Sequence, residues 1–532
     1  MNVQNESGEK EFLLILNDVI KDLGNMSEFF GIKMRNLAMA YHKLTEEEQE
    51  SCLSVLYELL SDIYILEINM MASLLKELKD KKIVPYIERI LLSDKYVLWH
   101  RLNDFQQLRM FLFRHFMIKE NERYESRNSL YVSLLQQIRR EAKIEFPYIA
   151  YKSRKKKIIL VVDQIINEFH APTKRVLAVT DYYRNLGYDV ECFVCHMEGS
   201  EGYWELVGGM RKMNFMDESG PFGRYMNGIY FRGYNLKLHA ENYLEELKQI
   251  VCMIWGKKPE YILEIGTETI LAGLCSSFTT VVTMGCTKNI PVTNAQVIAA
   301  PAKHSDKERK LWRQILGDSR IVVEVDHVVN QLERAEQEFS YSKEDFGLSA
   351  DAFVIILAGS RLDTEVEDSF LELLYQILNL EERFAVAVIG ECPELEERVK
   401  TCGWKDRFFF LGSQEKFREA IAIGDVFLNP PRQGGGTGAL FAIMESVPVI
   451  TLDDCDVKAN VGENFVCGSI DDMPSLVLKY FTDSEFMEEQ KKNCRKRALE
   501  RTNVDSEQNF QKLSDVVEKY AVNQESGNND TI

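Results

Sequence analysis

The amino-acid sequence predicts an α/β protein: two doubly wound parallel-sheet (Rossmann-like) domains in series, preceded by an all-α domain. Three observations carry that prediction. Residues 10 to about 150 place apolar side chains at helical spacing nearly throughout. From Arg154 onward, short apolar strand patterns alternate with helical ones, and the alternation runs twice, on either side of the polar connector SYSKEDFGLSA at 340–350. Near the end of the second series, three consecutive glycines, Gly434 to Gly436, follow a short strand and lead into a helix.

In the first region Leu13, Leu14, Leu16, Val19, Ile20 and Leu23 recur at helical spacing, as do Leu53, Val55, Leu56, Leu59, Leu60 and Ile63. Strong helix formers dominate, and the prolines are Pro85 and Pro147 alone. No repeat of fixed period marks a solenoid array. The basic run Arg154 to Lys157 then enters the first strand, Ile158–Val162, and reads as charge preceding a buried strand. A helix is expected over Thr173–Leu186, closed by Gly187 at the position after its C-cap. Further strands are expected at Val190–Cys195, Ile229–Arg232, Tyr261–Glu264, Thr280–Thr283 and Ile321–Val325, with Tyr203–Tyr225 as an irregular, glycine-rich cleft loop.

The second series predicts strands at Phe353–Ala358, Ala385–Ile389, Phe408–Leu411, Val426–Asn429 and Val449–Leu452, then helices over Ser484–Arg501 and Ser506–Tyr520. The domain reading is therefore 1–150 helical, 151–340 first Rossmann-like domain, 341–520 second, and 521–532 a disordered polar tail.

Composition narrows the function classes. The net charge of −19 argues against broad binding to nucleic acid or anionic lipid. No apolar run approaches the roughly 18–20 residues that span a bilayer, and the polar start MNVQNESGEKEF has no signal-peptide core. The expected location is the cytoplasm, with peripheral contact at the inner membrane face left open. The 11 cysteines are scattered and odd in number, so a disulfide framework is a poor reading. The close pair Cys192 and Cys195 lies in a strand pattern and reads as structural.

Ligands of doubly wound sheets sit beyond the carboxyl ends of the strands, and the candidate residues lie there. Glycines let backbone amides approach a ligand, and a helix N-terminus adds unpaired donors and partial positive charge. Gly434, Gly435, Gly436 and Gly438, with Thr437, therefore read as a seat for a diphosphate. Arg361, after Gly359 and Ser360 at the end of its strand, is placed to stabilise the charge of a leaving diphosphate, or else to pair with Asp363 or Glu365. Arg432 and Gln433 lie beside the glycine turn and are candidates for phosphate or sugar contact. His170 precedes Ala171-Pro172 at a helix start, at the sheet's carboxyl edge, where a neutral imidazole acts as base or orients an acceptor. His304 reads as a surface residue. Gly266, Thr267, Glu268, Thr269 and Asn289 also lie on cleft-side loops, with capping roles equally open. No metal ligands are expected: the Asp454–Asp456 triplet follows a strand and reads as a loop.

EDFGLSADAFVIILAGSRLDTE resembles the start of the C-terminal domain of GT-B glycosyltransferases, and GDVFLNPPRQGGGTGALFAIMESVPVIT resembles their strand, Gly-rich turn, helix and PV-strand segment. The resemblance spans about 155 to 520. With GGGTG and the histidine of HAPT it is closest in pattern to the O-linked N-acetylglucosamine transferases and the bacterial cytoplasmic protein glycosyltransferases. One departure stands out: Gln433 and Phe441 occupy the places of the paired glutamates of many retaining enzymes.

The resemblance implies a GT-B arrangement, with His170 near acceptor and sugar, Thr437 and Arg361 on the diphosphate, and Leu411, Gly412 and Ser413 reading the base. It implies a hexosyl- or N-acetylhexosaminyltransferase that uses a nucleotide sugar, UDP-linked by expectation, as substrate. The acceptor is a protein or glycan, no separate cofactor or metal is needed, and the helical domain binds acceptor or a partner chain. A catalytically inactive partner subunit and a sugar-nucleotide epimerase are the alternative readings.

Overall fold

The computed structural model describes residues 5–23, 30–60, 63–117, 122–168, 170–197, 214–300, 304–317, 320–326, 341–401 and 403–526. The first part is helical: Asn5–Leu23, Phe30–His42, Glu46–Leu59, Tyr64–Leu78, Val84–Leu92, Leu98–Arg114 and Tyr124–Ala142. Local chemistry sets some of these ends. Thr45 and Glu48 form a reciprocal capping box at the third helix, and Pro85 falls in the first turn of the fifth, where its missing amide is harmless.

The first sheet contains β1 (Lys155–Val162), β2 (Asp189–Met197), β3 (Gly220–Met226), β4 (Ile229–Leu238), β5 (Pro259–Ile265), β6 (Val281–Met284), β7 (Val297–Ala300) and β8 (Ile321–Glu324). Its order is β3-β4-β2-β1-β5-β6-β7-β8, parallel except for the β3–β4 hairpin. The second sheet is wholly parallel: β9 (Phe353–Ala358), β10 (Phe384–Ile389), β11 (Phe408–Gly412), β12 (Val426–Leu428), β13 (Val449–Leu452) and β14 (Val466–Cys467), in the order β11-β10-β9-β12-β13-β14. The two doubly wound sheets agree with the expected fold class. Gly187 ends the helix Ala171–Asn185 with φ 81°, its amide bonding Arg184 O and the next amide bonding Tyr183 O, the paired bonds of a Schellman motif.

A parallel sheet must bury both faces, and here the faces are covered by distant segments. Along β1, Ile159 and Val161 share one core with the front helices, while Ile158, Leu160 and Val162 face the helix Ala171–Asn185. The front helices thus form one continuous core with the first sheet. Polar ties follow: Tyr131 Oη donates to Thr269 O at 2.7 Å, Arg139 to Gly273 O at 2.7 Å, and Arg127 to Glu268 at 2.8 Å.

Several elements differ from expectation. Of Tyr203–Tyr225, residues 203–213 lie outside the described residues. Gly220–Met226 is no cleft loop but the edge hairpin with β4. Gly223 leaves room for Tyr230 across the pair, since a Cβ there would come within 2.4 Å of the Tyr230 hydroxyl. The strands β7 and β14 are additional to those expected, and the two residues of β14 are too few to carry a periodicity.

The final helix runs Ser506–Ser526. It therefore extends into the segment expected to be a disordered tail, of which 527–532 lie outside the described residues. It also packs Phe510, Leu513 and Val517 into the core of the first domain rather than the second. Its apolar stripe is the reason: those side chains need a partner face, and the first sheet offers one. Cys192 and Cys195 sit three apart on β2, hence on opposite faces, buried in separate cores. Burial pushes the Cys192 thiol up to about 12.

Candidate active site

Each doubly wound sheet has a switch point where successive strands depart in opposite directions, between β1 and β5 in the first sheet and between β9 and β12 in the second. Crevices open there, beyond the strand ends. Arg361 follows β9 and the glycine turn follows β12, so both occupy the second crevice. His170 follows β1 and occupies the first.

Two arginines share one carboxylate. Arg361 donates from Nε and Nη2 to Glu365 Oε1 at 2.9 and 2.6 Å, and from Nη2 to Gln433 O at 2.6 Å. The pairing with Glu365 weighed from sequence therefore forms. Arg361 Nη1 makes no hydrogen bond among the described residues and remains open to a ligand. Arg432 is 2% exposed and lies beneath the turn. It donates to Asn429 Oδ1 at 2.7 Å, Ala358 O at 3.0 Å and Glu365 Oε2 at 2.8 Å, while its buried Nη2 has no partner. Arg432 thus holds the turn to the end of β9, and Gln433, also buried, gives its carbonyl to Arg361. In this arrangement both side chains are buried at the turn.

The glycines make room for these cations. A Cβ on Gly435 would meet the Arg432 guanidinium at 2.4–2.7 Å, one on Gly359 would meet Arg432 Nη1 at 2.7 Å, and one on Gly434 would meet Arg361 Nη2 at 3.2 Å. Gly434 and Gly435 also hold φ 83° and 77°, which side-chain-bearing residues rarely adopt. Gly435 caps the helix Gly436–Met444, whose half-buried first turn includes Thr437 and Gly438. First-turn amides lack intrahelical acceptors and present donors. Ser360 is exposed beside Arg361.

Two contributors, Phe113 and Arg114, were not read from the sequence, and two others, Glu365 and Asp456, take fuller roles than it gave them. Phe113 at the end of the helix Leu98–Arg114 stacks on Arg361, its ring centre 4.7 Å from Cζ. Arg114, next to it, feels the Arg361 and Glu365 charges and is pushed down to about 10 by burial and by Arg361. Glu365 is held below the usual carboxylate range: burial raises it, and Arg432 and Arg361 outweigh burial. Asp456, 8% exposed, accepts from the Gly434 amide at 2.6 Å and from the Lys288 amide of the opposite domain at 2.8 Å. The Asp454–Asp456 triplet is thus a loop that ties the domains. Among the described residues, no cluster of His, Cys, Asp and Glu is placed to hold a metal ion.

Of the remaining candidates, Leu411, Gly412 and Ser413 bring backbone atoms to the end of β11. There the Gly412 carbonyl takes the Gly390 amide at 2.9 Å, and the Ser413 amide donates to Glu391 at 3.0 Å. Glu268, fully buried, is bonded by Arg127, and Thr267 Oγ1 donates to Val292 O at 2.8 Å, so this loop ties the front helices to the first sheet. Asn289 is half-buried beside Lys288. His304 is half-buried, its ring 4.3 Å from that of Trp312. Lys174, one turn past His170, places its ammonium 5.6 Å from the Phe441 ring across the cleft.

His170 Nδ1 lies 3.0 Å from Thr173 Oγ1. Burial, then the Arg361 charge, push the imidazole down to about 4, so it is neutral at pH 7. A base that weak transfers protons poorly near neutrality, and the geometry suits an orienting acceptor. His115, half-buried near Lys79, is also pushed down to about 4 by burial and by the Lys79 charge.

These shifts carry a sign for stability. A histidine with native pKa below its unfolded value of about 6.5 stays neutral in the fold while the unfolded chain takes up a proton. Its contribution is full above about pH 6.5 and is lost as pH falls toward 4. The wild type is expected to lose on the order of 1 kcal/mol more than His170→Asn between pH 7.5 and pH 5, after discounting for partial exposure. Paired urea titrations measure the difference, and equal losses would refute the assignment.

No protein-family model and no curated protein matches this chain. Among solved structures, a mutant O-GlcNAc transferase of Thermobaculum terrenum aligns with 98% of this chain and 98% of its own, at TM-score 0.55 and 12% identity. TarM aligns with 68% of this chain and 99% of its own, at TM-score 0.47 and 9% identity, too distant to add to the assignment. No helix among the described residues is long and apolar enough to cross a membrane. With two Rossmann-like sheets, opposed switch-point crevices and a full-length structural likeness, the chain has the GT-B fold.

Proposed function

We propose that this protein is a glycosyltransferase that moves a sugar from a nucleotide diphosphate, UDP in the first instance, to a protein or glycan acceptor without a divalent metal. The observation that carries the reading is the concentration of positive charge at the second crevice. Arg361, Arg432 and Arg114 face two carboxylates, Glu365 and Asp456, and the latter is bonded to two amides. A helix N-terminus adds to the excess, and a diphosphate matches it. Arg361 Nη1, Thr437 and the first-turn amides hold the leaving diphosphate, with Gly359 and Ser360 lining it and Leu411 to Ser413 beside the base. His170, neutral, orients the acceptor hydroxyl. The O-GlcNAc transferase named above supports an N-acetylhexosamine as first choice of sugar.

Thermal unfolding with UDP, GDP and their sugars tests this. A ligand at 100 times its Kd stabilises the fold by about 2.7 kcal/mol, and absence of any shift would sink the reading. Phe441 and Gln433, both buried where many retaining enzymes carry glutamates, favour an inactive partner subunit as the second reading. Binding without hydrolysis or transfer selects that reading. Release of an altered sugar nucleotide without acceptor selects an epimerase.

A further inference from the structure

We propose that the helical region completes the diphosphate site, with Arg114 supplying a further guanidinium to the anion and Phe113 positioning Arg361. The inference rests on the nucleotide-diphosphate reading above and extends it to a part of the chain that carries no recognisable signature.

The geometry starts from the helix Leu98–Arg114. Its body packs in the core shared with the first sheet, through Leu102, Phe105 and Leu108. Its end reaches the second domain. The Phe113 ring lies 4.7 Å from Arg361 Cζ, and its edge is 4.0 Å from where a Cβ on Gly434 would stand. The Arg361 guanidinium is therefore flanked by an aromatic ring and the glycine turn. That limits its freedom and leaves Nη1 as the nitrogen without a hydrogen bond. The helix end is itself fixed: His115 N bonds Phe111 O and Met117 N bonds Leu112 O, both at 3.0 Å. Lys79, at the end of the helix Tyr64–Leu78, pairs with Glu367 of the second domain at 2.9 Å.

Arg114 then stands beside Arg361 with only the shared Glu365 charge to offset the repulsion. Its Nε is buried and has no hydrogen-bond partner, and among the described residues it forms no ion pair. A half-buried cation next to a second cation is unfavourable until an anion arrives. The anion that satisfies Arg361 is within reach of the same electrostatic field. Its binding would relieve the repulsion and order the Arg114 fork, which suits phosphate oxygens.

Calorimetric titration of the full chain with UDP, with inorganic pyrophosphate and with uridine tests the inference. Arg114→Met, which keeps the aliphatic stem, is expected to weaken UDP and pyrophosphate by about 10- to 100-fold while uridine binding is unchanged. Arg114→Lys, a milder change, is expected to recover part of the loss and keeps the test valid if the methionine variant misfolds. Ligand-free melting of Arg114→Met is expected at or above the wild-type temperature, because a partly buried cation repelled by Arg361 is gone. If Arg114→Met and Arg114→Lys bind UDP as wild type does while Arg361→Met loses it, the inference is overturned and the nucleotide reading stands. If wild type binds pyrophosphate through Arg114 but no nucleotide, the inference holds and the nucleotide reading falls. If wild type binds neither, both fall.

Discussion

Replacing Glu365 with alanine is expected to lower the unfolding free energy by about 3–5 kcal/mol, because it leaves Arg432 buried with no counter-charge. Glu365 is 5% exposed and divides its oxygens between two guanidinium groups, Oε2 to Arg432 at 2.8 Å and Oε1 to Arg361 at 2.6 and 2.9 Å. Arg432 in turn fastens Asn429 at the start of the turn to Ala358 at the end of β9. Loss of the carboxylate therefore loosens the join between the two strands that frame the crevice. Glu365→Gln, which keeps volume and one acceptor, should fall between wild type and alanine. Urea unfolding followed by circular dichroism reads the effect, and an alanine variant with a wild-type midpoint would show that Arg432 is stabilised by other groups. The depressed carboxyl adds a pH signature. Its contribution is present above the unfolded carboxylate pKa, about 4.3, and is lost as pH falls through the lower native value.

Arg361→Met is expected to reduce sugar transfer or donor hydrolysis by about 100- to 1,000-fold, the usual loss when a preorganised donor to developing negative charge is removed. Stability should change by only about 1 kcal/mol, because Glu365 keeps Arg432 and the partly exposed Arg361 contributes little as an ion pair. The split between a large functional and a small structural effect separates Arg361 from Glu365. Arg361→Lys is expected to rescue poorly. A single ammonium cannot hold Glu365 and the Gln433 carbonyl, stack on Phe113 and still present a further donor. Steady-state turnover of the nucleotide sugar, with melting curves for both variants, decides it. Full activity in Arg361→Met would remove Arg361 from the mechanism.

Much of the candidate site was legible because doubly wound sheets place ligands at strand ends. His170, Gly359 to Arg361 and Gly434 to Gly438 could be marked from the strand pattern alone. The glycines were read as clearing space for a ligand. In the structure the same absence of Cβ clears space for Arg361 and Arg432, which carry the charge. The pairing of Arg361 with Glu365 was open to reading, being an i,i+4 pair at a helix start. Phe113 and Arg114 were not, since FLFRHF reads as an ordinary helix end and nothing local says which domain it meets. Asp456 looked like a loop residue because its two partners, the amides of Gly434 and Lys288, come from separate segments.

By itself the sequence determined the fold class, the double run of alternating strands and helices and the turn chemistry. Those depend on periodicity over a few residues and on local backbone preference, as at Gly187 and Pro172. Only the tertiary structure decided which charges share a carboxylate, which helix end closes on Arg361, and that the front and final helices belong to the core of the first sheet. Those outcomes follow from the burial of both faces of a parallel sheet and from electrostatics at a few ångströms between groups far apart in the chain, and neither leaves a local pattern to read.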